Sequence, residues 1–450
     1  MEPKKPIVII GAGLAGLTAA NFLRQNNVPF FLYEAGTKIA GLATSFTDKE
    51  GFSYDFGAHF ITNRLAKAIG INAECRIVKH YGEVVWLNGK SYQYPFGLIK
   101  IPRMTLSWLE NELKSLTNGK EPASAADWFR KRYGPALANE IALPLLESWS
   151  GFPANELSAK LGEGLFGGGV VKTLFLKIAG VVTGRAVACG YNTEKPETPG
   201  VWHVYPNGGL STLCGKLAEG LDDCIKLKSP VQEIIVENEK AVAVRVNGEL
   251  LEVAAVISTA PANILSKLVK GSSALQEVSK FRYRPMVFIN LRFEGRDLLP
   301  DTVVWFPEKE FIFFRLTEAT QSMPWLAPEG RTIITVDIGC EKGDALWEMD
   351  ENKLTELCLE KIKSIIPDAE KRFLGSNVLR TPIAYPVFLK EYEQQRQNFE
   401  KSTNIENLLS IGRNGEFSHM FMEDVYWRTL KKMKAFIKKE RPYQHATVSN

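Results

Sequence analysis

An α/β fold is predicted by three adjacent features at the start of the sequence. Ile7-Val8-Ile9-Ile10 is wholly apolar and β-branched, the composition of a central parallel strand buried on both faces. It runs into the turn Gly11-Ala12-Gly13-Leu14-Ala15-Gly16, and the following Leu17-Thr18-Ala19-Ala20-Asn21-Phe22-Leu23-Arg24 has helical periodicity. A second apolar run, Phe30-Phe31-Leu32-Tyr33, ends on Glu34. Together they make a Rossmann-like β-α-β unit of about thirty residues, the context in which a G-x-G-x-x-G match is informative. Gly11 supplies the tight turn, Gly13 the close approach of backbone to a pyrophosphate, and Gly16 the packing of helix on strand. Glu34 is placed to accept hydrogen bonds from ribose hydroxyls, and the helix N-terminus offers unpaired N–H groups to phosphate. The unit is expected to bind a dinucleotide.

The remaining elements follow in order. Met104 to Lys160 reads as helical, with segments at Ser107 to Leu116 and Ala125 to Tyr133. Leu161 to Gly190 is apolar but broken by Lys172, Lys177 and Arg185, short of the ~20 uninterrupted apolar residues of a membrane span. Within it, Leu165 to Ala188 is read as a buried helix pair of the second domain in preference to a lipophilic channel or membrane patch. Gln232 to Val236 and Ala241 to Arg245 flank a polar turn and read as a hairpin. Strands are expected at Leu251 to Ser258, Met286 to Phe293, Thr302 to Phe306, Phe311 to Leu316 and Arg331 to Ile338, then a helix over Ala345 to Ile366. The chain closes with the strand Asn407 to Gly412 and a helix ending in the basic stretch Lys431 to Arg441, read as a solvated tail.

Composition narrows the function classes. With 450 residues, 45% hydrophobic and 24% charged, the chain is globular, with room for two or three units each burying its own core. Its 55 Lys+Arg against 51 Asp+Glu is too dilute a surplus to indicate nucleic acid. Six Cys without a C-x-x-C pair and five His suggest neither a metal site nor a disulfide framework. Reduced thiols and a polar N-terminus lead us to expect a cytoplasmic protein.

After Glu34 the chain enters Ala35-Gly36-Thr37-Lys38-Ile39-Ala40-Gly41-Leu42-Ala43-Thr44 and then Tyr54-Asp55-Phe56-Gly57-Ala58-His59. Here it resembles the flavin-containing amine oxidase superfamily, in particular its protoporphyrinogen oxidase-like and UDP-galactopyranose mutase-like branches. The resemblance implies a cradle for FAD formed by Gly11, Ala12, Gly13, Leu14, Ala15 and Gly16, by Glu34 and Ala35, and by Gly41, Leu42, Ala43 and Thr44. Ala40 stands where the first glycine of a pair is usual, and Leu42 where an arginine is common. Gly57, Ala58 and His59 resemble the turn that passes the isoalloxazine, with His59 toward flavin or substrate. Val231 resembles the residue whose backbone pairs with adenine. Gly412-Arg413, continuing to Met422, resembles the C-terminal flavin motif, in the Gly-Arg form seen in galactopyranose mutases. No cysteine follows Cys358, so a non-covalent flavin is implied.

Candidates for the chemistry are fewer. His59 could transfer a proton or be a satisfied neighbour of the flavin. Arg282 and Arg284 could bind an anionic substrate or be solvated strand-edge cations. Tyr385, in Pro382-Ile383-Ala384-Tyr385-Pro386, could wall the substrate cavity or pack in the core. The expected fold is a discontinuous Rossmann-like FAD-binding domain (1–65, 196–280 and 386–450) with an inserted mixed helical and β-sheet substrate domain (66–195 and 281–385). The expected function is FAD-dependent oxidation of a small, partly apolar substrate, with hydride passing to flavin N5 and oxygen or another acceptor reoxidising the ring. No metal, nucleic acid or indicated membrane contact enters. The alternative is a redox-neutral nucleotide-sugar mutase using reduced flavin, and a third reading is a flavin-binding protein without catalysis.

Overall fold

The computed structural model describes residues 5–57, 60–94, 96–115, 121–162, 170–190 and 192–445. Strand Ile7–Ile10 lies at the centre of a five-stranded parallel sheet, between Phe30–Tyr33 and Ala255–Ser258, with Ile225–Lys226 and Leu408–Ser410 at the edges. Its side chains alternate between two cores. Ile7 and Ile9 join Leu17, Leu23 and Leu32, under Met433 and Ile437 of helix Met422–His445. Val8 and Ile10 join Ile234, Val256, Leu265 and Phe417 on the opposite face. All four residues are buried, which explains a run without polar alternation, and each fully buried Val or Ile contributes about 1.5–3 kcal/mol.

The second large element is a seven-stranded mixed sheet in the order Phe373–Val387, Arg282–Glu294, Arg331–Gly339, Arg315–Glu318, Val303–Trp305, Glu83–Leu87, Lys90–Gln93. Strand Arg282–Glu294 sets its two faces. Val287, Ile289, Leu291 and Phe293 pack on Leu354, Cys358 and Ile362 of helix Glu351–Ile362. Met286 and Phe288 point the other way, into a cluster with Phe314, Trp149, Trp305 and Tyr385.

The opening β-α-β unit, both helices at Pro102–Ser115 and Ala125–Tyr133, and the hairpin Val231–Glu237/Lys240–Val246 form where the sequence places them. Five expectations change. Leu251 to Ser258 splits into Glu249–Glu252, paired with the hairpin, and Ala255–Ser258 in the parallel sheet. Ala345 to Ile366 breaks at Met349, because the Asp350 carboxylate caps a fresh N-terminus by accepting from Asn352 and Lys353 N–H. Phe311 to Leu316 begins its strand only at Arg315. Leu161 to Gly190 does not show a buried pair: 163–169 lie outside the described residues, and helix Val170–Thr183 exposes Phe175, Ile178, Val181 and Val182. The basic C-terminal stretch is also not wholly solvated, since Lys432 pairs with the buried Glu416 at 2.8 Å.

Three strands of the large sheet escaped the sequence reading. Glu83–Leu87 and Lys90–Gln93 form a hairpin around Asn88-Gly89, both with positive φ (51° and 71°), the preferred chemistry of a two-residue turn. Phe373–Val387 carries Gly375, Pro382 and Pro386, which weaken the strand pattern and are tolerated because the strand lies at the sheet's edge.

Ala40 adopts a left-handed backbone (φ 88°), with its N–H donating to the Ala12 carbonyl at 2.9 Å. That conformation strains an L-residue with a Cβ, which accounts for the glycine usual at this position. Ala40→Gly should therefore stabilise the protein by about 1 kcal/mol, read as a higher denaturant midpoint with an unchanged slope.

Candidate functional site

Several predicted segments converge at the carboxyl edge of the parallel sheet. A Cβ on Gly11 would stand 2.2 Å from Thr259 Oγ1, and one on Gly16 only 1.9 Å from the Gly11 carbonyl oxygen. Packing within the chain thus demands both glycines. Gly13 differs: its φ is ordinary (−78°), and the nearest atom to a Cβ there is the Ala40 carbonyl oxygen at 3.9 Å. No close neighbour in the chain requires a glycine at this point. Gly13 is also the N-cap of helix Leu14–Gln25, with no capping side chain and no acid in the first turn. The first N–H groups and the positive end of the helix dipole are left for an anion.

The other segments close around this helix end. Glu34 accepts from Ala12 N–H and from Gly36 N–H, both at 2.7 Å, which holds its carboxylate against the glycine turn while Ala35 stays exposed. The approach to Val231 is tied to the same place, because Ser229 N–H donates to the Glu34 carbonyl and Lys228 N–H to that of Gly36, each at 2.9 Å. The turn Gly41–Ala43 lies against Gly13, with Leu42 half-buried and the Thr44 hydroxyl donating to the Gly41 carbonyl at 2.7 Å. Gly412 comes so close to the helix that a Cβ would stand 2.8 Å from Ala15 Cβ. Met422 opens the long helix that covers Leu14–Gln25.

Arg413 is half-buried, its guanidinium 5.2 Å from the centre of the Tyr385 ring, and no carboxylate among the described residues pairs with it. Burial pulls its pKa down, the signature of a cation lacking a counter-ion. An uncapped helix terminus, an empty space at Gly13, a carboxylate at the tip of the second strand and an unpaired arginine together fit a dinucleotide with its pyrophosphate and ribose.

Tyr385 leads to a second group of residues. Its ring lies 5.2 Å from Trp149, and Trp149 lies 5.1 Å from His419, which also meets Phe388 at 4.7 Å. Burial first, then the cations Arg413 and Arg396, pull the His419 pKa down to about 3, so the ring stays neutral. Its hydrogen bond to the Pro386 carbonyl leaves Nε2 without a partner, as an acceptor. Beside this cluster, Gly57 faces the seven-stranded sheet, where a Cβ on it would stand 3.1 Å from Phe288 and 3.2 Å from Arg315 Nη2. Arg315 pairs with Asp337, which is fully buried. Burial pushes the Asp337 carboxyl up, and the adjacent guanidinium pulls against it. Gly57 also lines a cavity of about 20 Å³ with Asp55, Thr317 and Thr335. Burial pushes the Asp55 carboxyl up to about 7, against hydrogen bonds from Ser45 and Tyr205.

The remaining candidates stand as follows. Ala58 and His59 lie outside the described residues. Arg284 is opposite Tyr385 in register, but its guanidinium is committed to Glu341 at 2.6 Å and wedged against Gly151 and Gly339. Arg282 is exposed and lies over the Phe152 ring at 4.9 Å. Sequence reasoning missed Arg315, Asp337 and His419. The first two carry no motif and are paired only by strand register, whereas His419 was within reach, seven residues past Gly412.

The fold and the site define an α/β enzyme of the flavin-dependent oxidoreductase class. Residues 14–412 match the family described as flavin containing amine oxidoreductase, and the chain belongs to it. FAD is the cofactor of that family. The chain is similar to coproporphyrinogen III oxidase of Bacillus subtilis, 22% identical over 81% of this chain and 84% of that protein. It is also 24% identical to amine oxidase [flavin-containing] B of Sus scrofa, over 58% of this chain and about half (51%) of that protein. Among solved structures it resembles a reduced UDP-galactopyranose mutase, with a TM-score of 0.79 at 18% identity over 97% of this chain and 96% of that one. No helix among the described residues is long and apolar enough to cross a membrane.

With a folded pKa of about 3 against about 6.5 when unfolded, His419 favours the fold fully above pH 6.5, and this contribution is lost as pH falls toward 3. His419→Gln should therefore show a shallower acid limb: between pH 6.5 and 5 it should lose about 2 kcal/mol less unfolding free energy than the wild type, measured by denaturation at the two pH values.

Proposed function

We propose that the chain dehydrogenates a small, partly apolar substrate held against the aromatic cluster of Trp149 and Tyr385. FAD would be bound non-covalently by Gly11–Gly16, Glu34, Ala35, Gly41–Thr44, Val231 and Gly412–Arg413. In this reading 1–65, 196–280 and 386–450 form the FAD-binding domain, and 66–195 and 281–385 the substrate domain. The single observation that carries it is the uncapped helix terminus at Gly13, which has open space on the protein side.

When bound, the flavin supplies a two-electron acceptor, so the chain has to supply orientation, dryness and electrostatics. Phe288, Phe314, Trp149 and Tyr385 exclude water from the substrate side. Arg413 would set a positive charge at the edge of this cluster, over the Tyr385 ring. His419, neutral with a free Nε2, accepts a hydrogen bond at the end of the aromatic cluster without holding a proton of its own there. His59 is retained as the proton-transfer candidate on the family turn. Oxygen or another acceptor would reoxidise the flavin.

A mutase reading draws support from Gly412-Arg413 and from the shape shared with a galactopyranose mutase. Anaerobic mixing with candidate amines, porphyrinogens and nucleotide sugars separates the two. Bleaching of the visible flavin absorbance is expected for oxidation, and turnover of a nucleotide sugar only after dithionite reduction would replace it with the mutase. Gly13→Val tests the cofactor assignment: a Cβ is accommodated by the chain, so the variant should fold with wild-type circular dichroism yet purify with less than a tenth of the flavin. A yellow, fully loaded Gly13→Val protein would remove the proposed pyrophosphate position.

A further inference from the structure

Seven of the thirteen large apolar side chains exposed among the described residues lie on two helices of fourteen residues each, Pro102–Ser115 and Val170–Thr183. Phe175, Ile178, Val181 and Val182 are 58%, 55%, 86% and 80% exposed and recur at helical spacing, so they form one outward stripe. The opposite side of this helix is anchored. Leu176 is buried, Lys177 Nζ donates to the Tyr94 carbonyl at 2.9 Å, and a Cβ on Gly180 would stand 3.0 Å from the Arg185 carbonyl oxygen. Helix Pro102–Ser115 exposes Leu106, Trp108 and Leu109, while its Met104 is buried with Leu98 in the cluster that Tyr94 joins. Tyr94 thus ties both helices to one cluster. Single exposed apolar residues are ordinary, whereas seven on two such helices mark a surface that something covers.

Shape and charge select the occupant. The stripe ends at Val181-Val182, and just beyond it a Cβ on Gly184 would meet nothing within 4 Å, so the tip projects and does not line a groove. A projecting apolar tip fits a medium that opens around it, as lipid does, better than the preformed pocket of a folded partner. Residues 170–190 carry Lys172, Lys177 and Arg185 and no Asp or Glu. Lys172 reaches Glu197 at 3.5 Å yet stays 47% exposed, and Arg185 lies over the Trp202 ring with no carboxylate among the described residues paired to it. Lys100 is exposed ahead of the other helix, whose acids Glu110 and Glu112 come after Leu106, Trp108 and Leu109. Cations beside an apolar stripe are the pattern of a helix lying on an anionic membrane surface. At about 1.5 Å per residue, fourteen residues span ~21 Å, short of the ~30 Å hydrocarbon core, so the helix has the length to lie in the interface and not to cross it. Its backbone hydrogen bonds close within the helix, so immersing the stripe leaves no peptide group unpaired.

We propose that helix Val170–Thr183, flanked by Leu106, Trp108 and Leu109, docks the protein on an anionic lipid bilayer. Phe175, Ile178, Val181 and Val182 enter the boundary between headgroups and acyl chains, and Lys100, Lys172 and Arg185 stay among the headgroup phosphates. The contact is peripheral and reversible, and it is independent of the redox assignment.

Flotation of the full-length protein with vesicles of phosphatidylcholine, alone or mixed with phosphatidylglycerol, tests the assignment. Wild type should float with the mixed vesicles, bind them about tenfold more tightly than phosphatidylcholine alone, and bind more weakly as salt rises. The double variant Val181→Ser, Val182→Ser should keep the wild-type thermal midpoint, because neither side chain is buried, and lose about tenfold or more in vesicle binding. Leu250→Ser, at a side chain 57% exposed on strand Glu249–Glu252, should leave vesicle binding unchanged. Wild type that stays off phosphatidylglycerol vesicles, binding that the double variant retains, or an equal loss in Leu250→Ser would overturn the proposal. So would a wild-type dimer in analytical sedimentation that the double variant converts to monomer, since a second copy would then cover the stripe.

Discussion

Burial of Ile7–Ile10 on both faces is the constraint from which the site follows. A four-residue strand with apolar side chains on both sides must sit between two covered faces, and its parallel neighbours then end at the same edge. The turn after the strand, the Glu34 carboxylate, the Thr259 turn and Gly412 meet there because Phe30–Tyr33, Ala255–Ser258 and Leu408–Ser410 run in register with Ile7–Ile10. Packing accounts for Gly11 and Gly16, which leaves Gly13 as the glycine of the six-residue motif that no close neighbour in the chain requires.

The large sheet imposes a different constraint. One face is ordinary core, filled by Val287, Ile289 and Leu291 against a helix. The other combines aromatic walls with the Arg315–Asp337 pair and side-chain atoms that lack partners. Removing one partner of a buried pair leaves an isolated charge, so such pairs persist where both charges have a use. Overall shape, shared with a galactopyranose mutase at 18% identity, does not by itself assign a reaction.

The first sixty residues were the most legible, because strand, glycine turn, helix and acid are contiguous and each position has one physical duty. Gly412-Arg413 was legible as a motif, but that no carboxylate among the described residues pairs with Arg413 could only be seen once the fold had placed them. Arg282 and Arg284 attracted attention as neighbouring cations beside a strand, whereas Glu341, 57 residues beyond Arg284, takes up its charge. Arg315 and Asp337 are separated by 22 residues and joined only by antiparallel register, so no local pattern announces them. Helix Val170–Thr183 misled for a related reason: apolar composition implies burial only when another element covers the face, and Val181 and Val182 are 86% and 80% exposed.

Electron density for the protein as purified tests the central claim most directly. The account predicts FAD with its pyrophosphate at the N-terminus of helix Leu14–Gln25, over Gly13, and its ring system beside the Gly57 turn. A flavin lying elsewhere, or an occupant at Gly13 with no flavin ring, would contradict it.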